Sequence, residues 1–172
     1  MKVTLETNRL LLRPFMETDA IDMYNNWASD DEVTKYLTWN THQNIEVTKS
    51  ILDLWIKQYE KPERINFAIT LKETNELIGG IDVVGYLDKI PVIGYVLGRK
   101  YWNNGYMSEA CENVLKYLFS VGHEKVIIDA VVENIGSNKV IKKCGGIFEK
   151  EYSEFCEQKN QFFNINRYYV YK

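Results

Sequence analysis

A change of period midway along the chain does most to fix what it can fold into. Three runs, INFAITL (65–71), ELIGGIDVV (76–84) and VIGYVL (92–97), are β-rich and separated by polar or proline-bearing turns. They predict consecutive antiparallel strands. Directly afterwards Met107, Ala110, Cys111, Val114, Leu115, Leu118 and Phe119 recur at three- and four-residue intervals. That is the stripe of an amphipathic helix laying one face on a core, here expected over residues 106–121. KVIIDAVV (125–132) then reads as a buried strand, and residues 135–143 as a short helix stopped by Gly145-Gly146, whose backbone freedom suits a helix end.

The flanking segments complete the order. RLLLRPF (9–15) is a Leu-rich run closed by Pro14, whose missing N–H would interrupt a central ladder, so an edge-type strand is expected. Thr18, then Asp19 and the apolar series Ile21, Met23, Tyr24, Trp27 and Ala28, favour a helix capped at Thr18. Residues 41–59 form a second helical region, and 147–155 and 162–171 two last β stretches. The alternation β, α, α, β, β, β, α, β, α, β, β is an α/β mixture, too interleaved for segregated layers.

Composition narrows the class. At 172 residues, with 45% hydrophobic and 26% charged, the chain suits one domain spanning 1–172. The net charge is −3 and the Lys and Arg residues are dispersed, which disfavours direct binding of nucleic acid. Cys111, Cys144 and Cys156 form no CxxC pair and are odd in number, which points to a reducing cytoplasm. No apolar run approaches the ~20 residues of a membrane span, and the N-terminus lacks a signal-peptide core. The expectation is a soluble, cytoplasmic protein, monomer or homodimer. Pro14, Pro62 and Pro91 stand singly at element edges, and the only histidines are His42 and His123, too few for a His-rich metal site. No catalytic metal is expected.

The segment GYVLGRKYWNNGYMSEA (94–110) carries the chemistry. A strand ends, a short polar loop containing Gly105 follows, and the long helix begins. The unpaired N–H groups of a helix start converge and the dipole adds positive charge, so a phosphate or pyrophosphate can be held there without a basic side chain. Gly105 lets the backbone approach it, although a glycine there also serves simple turn geometry.

This segment resembles motif A of the GNAT acetyltransferases, and is most similar to the Rim-type branch that acetylates ribosomal-protein N-termini. TNRLLLRPF with Asp19, ELIGGI (76–81) and ENIGSNKVIKKCGG (133–146) follow in the order and spacing of that family, so the resemblance spans nearly the whole chain. It implies a mixed, mostly antiparallel twisted sheet of about seven strands with about four flanking helices, and acetyl-CoA as co-substrate. It further implies that Val96 and Leu97 offer backbone groups to the pantetheine and the thioester carbonyl. Asn103, Asn104, Gly105, Tyr106, Met107 and Ser108 would cradle the pyrophosphate. Asn134 would hold the pantetheine arm, Asn138 would reach the cofactor, and Trp39, Asn40 and His42, in the YLTWNTHQN connection, would line the acceptor pocket.

Two departures from the family pattern matter. Trp102 and Met107 stand where many GNAT loops have Gln or Arg and Gly or Ala. Many GNATs also place a proton-donating Tyr seven residues after the motif Asn, whereas here Ile141 occupies that position and cannot donate. Ser137, which Rim-like relatives share, becomes the candidate donor, directly or through a water; it is equally a candidate helix cap. The implied reaction is direct acetyl transfer to a primary amine in a ternary complex, with a protein N-terminal α-amine as acceptor. The alternatives are a small amine, such as a polyamine or aminoglycoside, and a non-catalytic acyl-CoA-binding module. Asp82, Glu133, Glu154 and Glu157 are base candidates, each also readable as a plain surface carboxylate. Cys144 reads as a packed thiol.

Overall fold

The computed structural model describes residues 3–61 and 64–172; Pro62 lies outside them. Eight strands form one sheet in the order β1-β2-β3-β4-β5-β6-β8-β7. They are β1 (Leu5–Glu6), β2 (Leu10–Arg13), β3 (Asn66–Leu71), β4 (Leu77–Leu87), β5 (Ile90–Leu97), β6 (Lys125–Val131), β7 (Ile147–Cys156) and β8 (Gln161–Tyr171). The α-helices among the described residues are α1 (Ala20–Met23), continued by a π-helical turn over Tyr24–Ala28, α2 (Asp31–Thr34), α3 (Ile45–Gln58), α4 (Tyr106–Ser120) and α5 (Ile135–Lys143). No helix among them is long and apolar enough to cross a membrane.

Every neighbouring pair of strands is antiparallel except β5 and β6, which are parallel. Parallel strands need a crossover of a dozen or more residues, which α4 supplies. The apolar stripe of α4, with Ile141 of α5, packs on one sheet face against Leu10, Leu12, Ile69, Ile78, Ile93 and Ile128. The opposite face is covered by the N-terminal helical region, where Met23, Trp27 and Leu52 meet Phe15, Ala68 and Leu77.

Three details differ from the sequence reading. The Leu-rich run is not the edge: the two-residue β1 pairs with β2 outside it, and Leu10 and Leu12 are fully buried. Thr18 does not cap the first helix. Asp19 holds that corner instead, accepting the Met16 N–H at 2.8 Å and two bonds from Arg13 at 2.8 and 2.7 Å. The second helical region starts at Ile45, because Asn44 accepts from the amides of Glu46 and Val47, while α2, capped by Asp30, is a helix the sequence did not announce.

The β5–β6 pairing is short. Their register covers Val92↔Ile127 and Ile93↔Ile128 only, although β5 runs on to Leu97 and β6 to Val131. Beyond Ile93 each strand stays tied to its outer neighbour, β5 to β4 through Leu97↔Gly79 and β6 to β8 through Val131↔Ile165. The inner edges therefore diverge into a fork.

Candidate active site

Backbone groups line the fork. Gly98 N–H donates to Ile78 O on β4 at 2.8 Å, and a Cβ on Gly79 of β4 would collide with the Val96 carbonyl, so both face outward from the fork. Successive residues of a strand direct their hydrogen-bonding groups to opposite sides, and Tyr95 and Leu97 therefore turn theirs toward the opening. Trp102 Nε1 donates to Leu97 O at 2.8 Å, which leaves the Leu97 N–H and the Tyr95 backbone as the polar edge there. Val96, expected to offer its backbone there, instead turns its carbonyl toward Gly79 of β4.

Where β5 ends, the loop reaches the start of α4. Gly105 has φ of 78°, a left-handed conformation that glycine adopts without a Cβ penalty, and no side chain caps the helix after it. The first intrahelical bond runs from Glu109 N to Gly105 O, so the amides of Tyr106, Met107 and Ser108 lack intrahelical acceptors. Asn103 is also left-handed, with φ of 62°, and Asn104 Nδ2 folds back onto Tyr101 O and Trp102 O at 3.2 and 2.9 Å. The bulk of Met107 goes into the core, where it leaves the loop unobstructed.

A brace unannounced by the sequence fixes this loop. Arg9, just before β2, donates to Asn104 O at 2.9 Å and to Glu109 Oε2 at 2.7 Å. Its guanidinium lies 4.4 Å from the centre of the Tyr106 ring. Glu109 also accepts from Thr7 Oγ1 at 2.6 Å and from the Arg9 amide at 2.9 Å. Burial alone would raise the Glu109 carboxyl, but the hydrogen bonds from Thr7 and Arg9 and the Arg9 charge outweigh it and hold the group below its ordinary value. Arg9 and Glu109 are a hundred residues apart in sequence, and no local pattern pairs them.

Across the fork, β6 leads into α5. Asn134 Oδ1 accepts the Ser137 amide at 3.1 Å, so Asn134 is the cap and Ser137 is not. The Ser137 hydroxyl instead lies 2.9 Å from the Tyr95 hydroxyl, which is also 3.3 Å from Ser137 O. Burial pushes the Tyr95 phenol well above its ordinary value. Asn138 corrects the expectation that it reaches the cofactor. It is 7% exposed; its Nδ2 donates to Val131 O and Asn134 O, and its Oδ1 accepts from Asn166 and Tyr168. Nothing on that side chain is left to offer a ligand.

The other expected residues lie around the connection between α2 and α3. His42 is 8% exposed, with Nδ1 at 2.7 Å from Thr48 Oγ1 and its amide bonded to Ala28 O. It is an anchor for the connection, not an open pocket wall, and burial lowers its pKa. The partly buried Trp39 ring leans on it at 5.1 Å. Nearby Asn40 Nδ2 donates to Gln158 O in the β7–β8 turn, and Cys156 Sγ to Thr38 O, so two distant loops meet. A cavity of ≈ 340 Å³ lined by Lys35, Tyr36, Glu133, Gln161, Phe162, Phe163 and Asn164 lies beyond the end of β6. Among the base candidates Glu133 lines this cavity. Asp82 sits mid-strand opposite Gly94, held by two bonds from Arg64 at 2.6 and 2.9 Å; burial raises its carboxyl despite Arg64. Glu154 and Glu157 are exposed.

Comparison with known proteins agrees with this geometry. Residues 9–147 match the family model described as an acetyltransferase (GNAT) domain. The uncharacterised N-acetyltransferase YoaA of Bacillus subtilis is 30% identical over 98% of this chain and 96% of its own. The crystal structure of a GNAT-family acetyltransferase from Bacillus anthracis superposes with a TM-score of 0.84 at 27% identity, covering 98% of both chains. RimL, a ribosomal L7/L12 alpha-N-protein acetyltransferase in complex with coenzyme A, shares the fold with a TM-score of 0.84 at 18% identity, over 98% of each chain. A fork closed at one end by a sheet ladder and met at the other by an uncapped helix start, in a chain with these relatives, leads to one conclusion: the protein belongs to the GNAT family and is an acetyltransferase.

Proposed function

We propose that the protein transfers acetyl from acetyl-CoA directly to a primary amine, a protein N-terminal α-amine, in a ternary complex formed by residues 1–172 as one cytoplasmic domain. The observation that carries this reading is the β5–β6 fork ending at the start of α4. The amides of Tyr106, Met107 and Ser108, with Asn103, Asn104 and Gly105 shaping the turn, suit the pyrophosphate. The Leu97 N–H and the Tyr95 backbone suit the amide-bearing pantetheine, and Asn134 stands at the mouth of the opposite arm. A backbone N–H aimed at the thioester oxygen strengthens as charge develops there, and so lowers the barrier. Ser137, free of capping duty, supplies the proton for the departing thiolate. A thiol of pKa near ~8.5 needs only modest help to leave.

The cavity beside Tyr36, Glu133 and Phe162 is the acceptor side of this scheme, with Glu133 as the base candidate that lines it. RimL, with the same fold and an N-terminal acceptor in its name, is the neighbour that suggests a protein α-amine; a polyamine or aminoglycoside is the alternative acceptor. The test is thiol release from acetyl-CoA across a panel of N-terminal peptides and small amines, with products weighed by mass spectrometry. Release dependent on N-terminal peptides is expected; release with small amines alone would overturn the acceptor. Gly105→Asp places a side chain and a negative charge at the phosphate position, and should abolish coenzyme A binding in calorimetry. Unchanged affinity would refute the placement of the cofactor loop.

A further inference from the structure

We infer that Tyr95 is a positioning residue for the leaving-group step, its phenol holding the Ser137 hydroxyl so that the serine proton is directed into the fork. This rests on the proton-donor reading of Ser137 above.

The two residues belong to opposite arms. Tyr95 is on β5, and Ser137 lies in the first turn of α5, directly after β6. Their hydroxyls meet at 2.9 Å although they are 42 residues apart in sequence. Each end of the bond is fixed independently of the other. The Tyr95 ring packs against the α4–α5 core, and the Ser137 backbone is held by the Asn134 cap at 3.1 Å. A serine hydroxyl left alone would sample its staggered rotamers; this one has a partner at a set place.

The phenol has one proton and two acceptors on Ser137, the carbonyl at 3.3 Å and Oγ at 2.9 Å. With the proton on Oγ, the serine's own proton turns away from Tyr95 and is free for the sulfur. As the tetrahedral intermediate collapses, the C–S bond breaks and its electron pair passes to sulfur. Sulfur takes the Ser137 proton, and the serine oxygen takes the proton shed by the newly bonded amine nitrogen, directly or through a water. One proton has then moved from nitrogen to sulfur, and Tyr95 has kept its own. Because burial raises the Tyr95 phenol, it stays a donor throughout the neutral range. Ile141, fully buried in the core, offers no competing donor.

The plainer role for Tyr95 is a strut joining the two arms, and a double-mutant cycle separates the two. Tyr95→Phe, Ser137→Ala and the double variant are compared for thiol release with the best amine of the panel and, without any amine, with water as nucleophile. Coenzyme A affinity is measured by calorimetry alongside. Tyr95→Phe should lower kcat about tenfold, less than a full general-acid loss because a thiolate leaves readily, while coenzyme A affinity stays within about twofold. The double variant should be no slower than Ser137→Ala, since the phenol acts only through that hydroxyl. A full rate for Tyr95→Phe, an equal loss in the Ser137→Ala background, or a matching loss of coenzyme A affinity would each overturn the inference. A full rate for Ser137→Ala would instead remove the donor reading on which it stands.

Discussion

Neighbouring residues on a helix point about a quarter-turn apart, and that rotation separates two residues that the sequence presents as equals. Ser137 and Asn138 are both small polar residues at a helix start. The first meets the Tyr95 hydroxyl, while the second turns into the protein and spends its amide on Val131, Asn134, Asn166 and Tyr168. The phase of a short helix depends on which face its sheet offers, which the motif alone does not encode. Asn138→Ala would leave several buried groups unpaired and should cost about 3 kcal/mol in urea unfolding, while coenzyme A affinity of the folded fraction stays unchanged. A loss of affinity without loss of stability would restore Asn138 to the cofactor site. His42 makes a comparable argument in protons. Burial lowers its folded pKa below the ordinary value of 6.5, so the unfolded chain binds a proton more readily. Its contribution is complete above about pH 6.5 and is lost as pH falls through the folded value. Stability should therefore drop between pH 7 and 5 more steeply in the wild type than in His42→Gln, as thermal melts across that range would show.

At the scale of elements, the long periodic segments were legible and the short ones were not. The stripe from Met107 to Phe119 predicts a helix over 106–121 and the structure has Tyr106–Ser120; residues 135–143 coincide with α5. Two-residue β1 and four-residue α2 carry too few positions for a period, and such short elements form because tertiary partners hold them. The same limit hid the brace on the loop before α4, since Arg9 reaches Asn104 and Glu109 only after β2 is laid beside α4. Arg9→Met keeps the aliphatic packing on Tyr106 but releases the Asn104 carbonyl. It should raise KM for acetyl-CoA about five- to tenfold with little change in kcat, because a looser loop weakens uniform binding more than chemistry; an unchanged KM would show that the loop holds itself. Asn134 allows cap and cofactor roles to be divided. Asn134→Asp keeps an acceptor for the Ser137 amide and should retain stability, whereas Asn134→Ala should lose about 1 kcal/mol of it. If Asn134 also grips the pantetheine through its Nδ2, both variants weaken coenzyme A binding; if it only caps, the Asp variant binds as the wild type does.

Across the whole molecule, the fork is a property of the sheet and not of any motif within it. The runs 92–97 and 125–132 announce two strands, but their divergence after Ile93 depends on how firmly each is held from outside. On the β5 side the grip comes from the close approach of β4, where Gly79 faces Leu97 and leaves room for the Val96 carbonyl. The ELIGGI landmark thus has a physical meaning that its sequence did not disclose: its first glycine sets the distance between the fork arm and the rest of the sheet. Gly79→Ala would drive a methyl group into that carbonyl. Unlike the end of a flexible side chain, a strand backbone yields only by moving as a unit, so β5 must shift toward β6 and narrow the opening. The cost should be about 1–3 kcal/mol of stability, the range for overpacking, together with a clear loss of coenzyme A affinity in the protein that still folds. Gly85, on the same strand past the bulge, has open space where a methyl group would sit, with nothing within 4 Å of it, and Gly85→Ala should leave both quantities unchanged. Equal effects of the two substitutions would mean that β4 tolerates side chains generally and that the fork is held by something other than this contact.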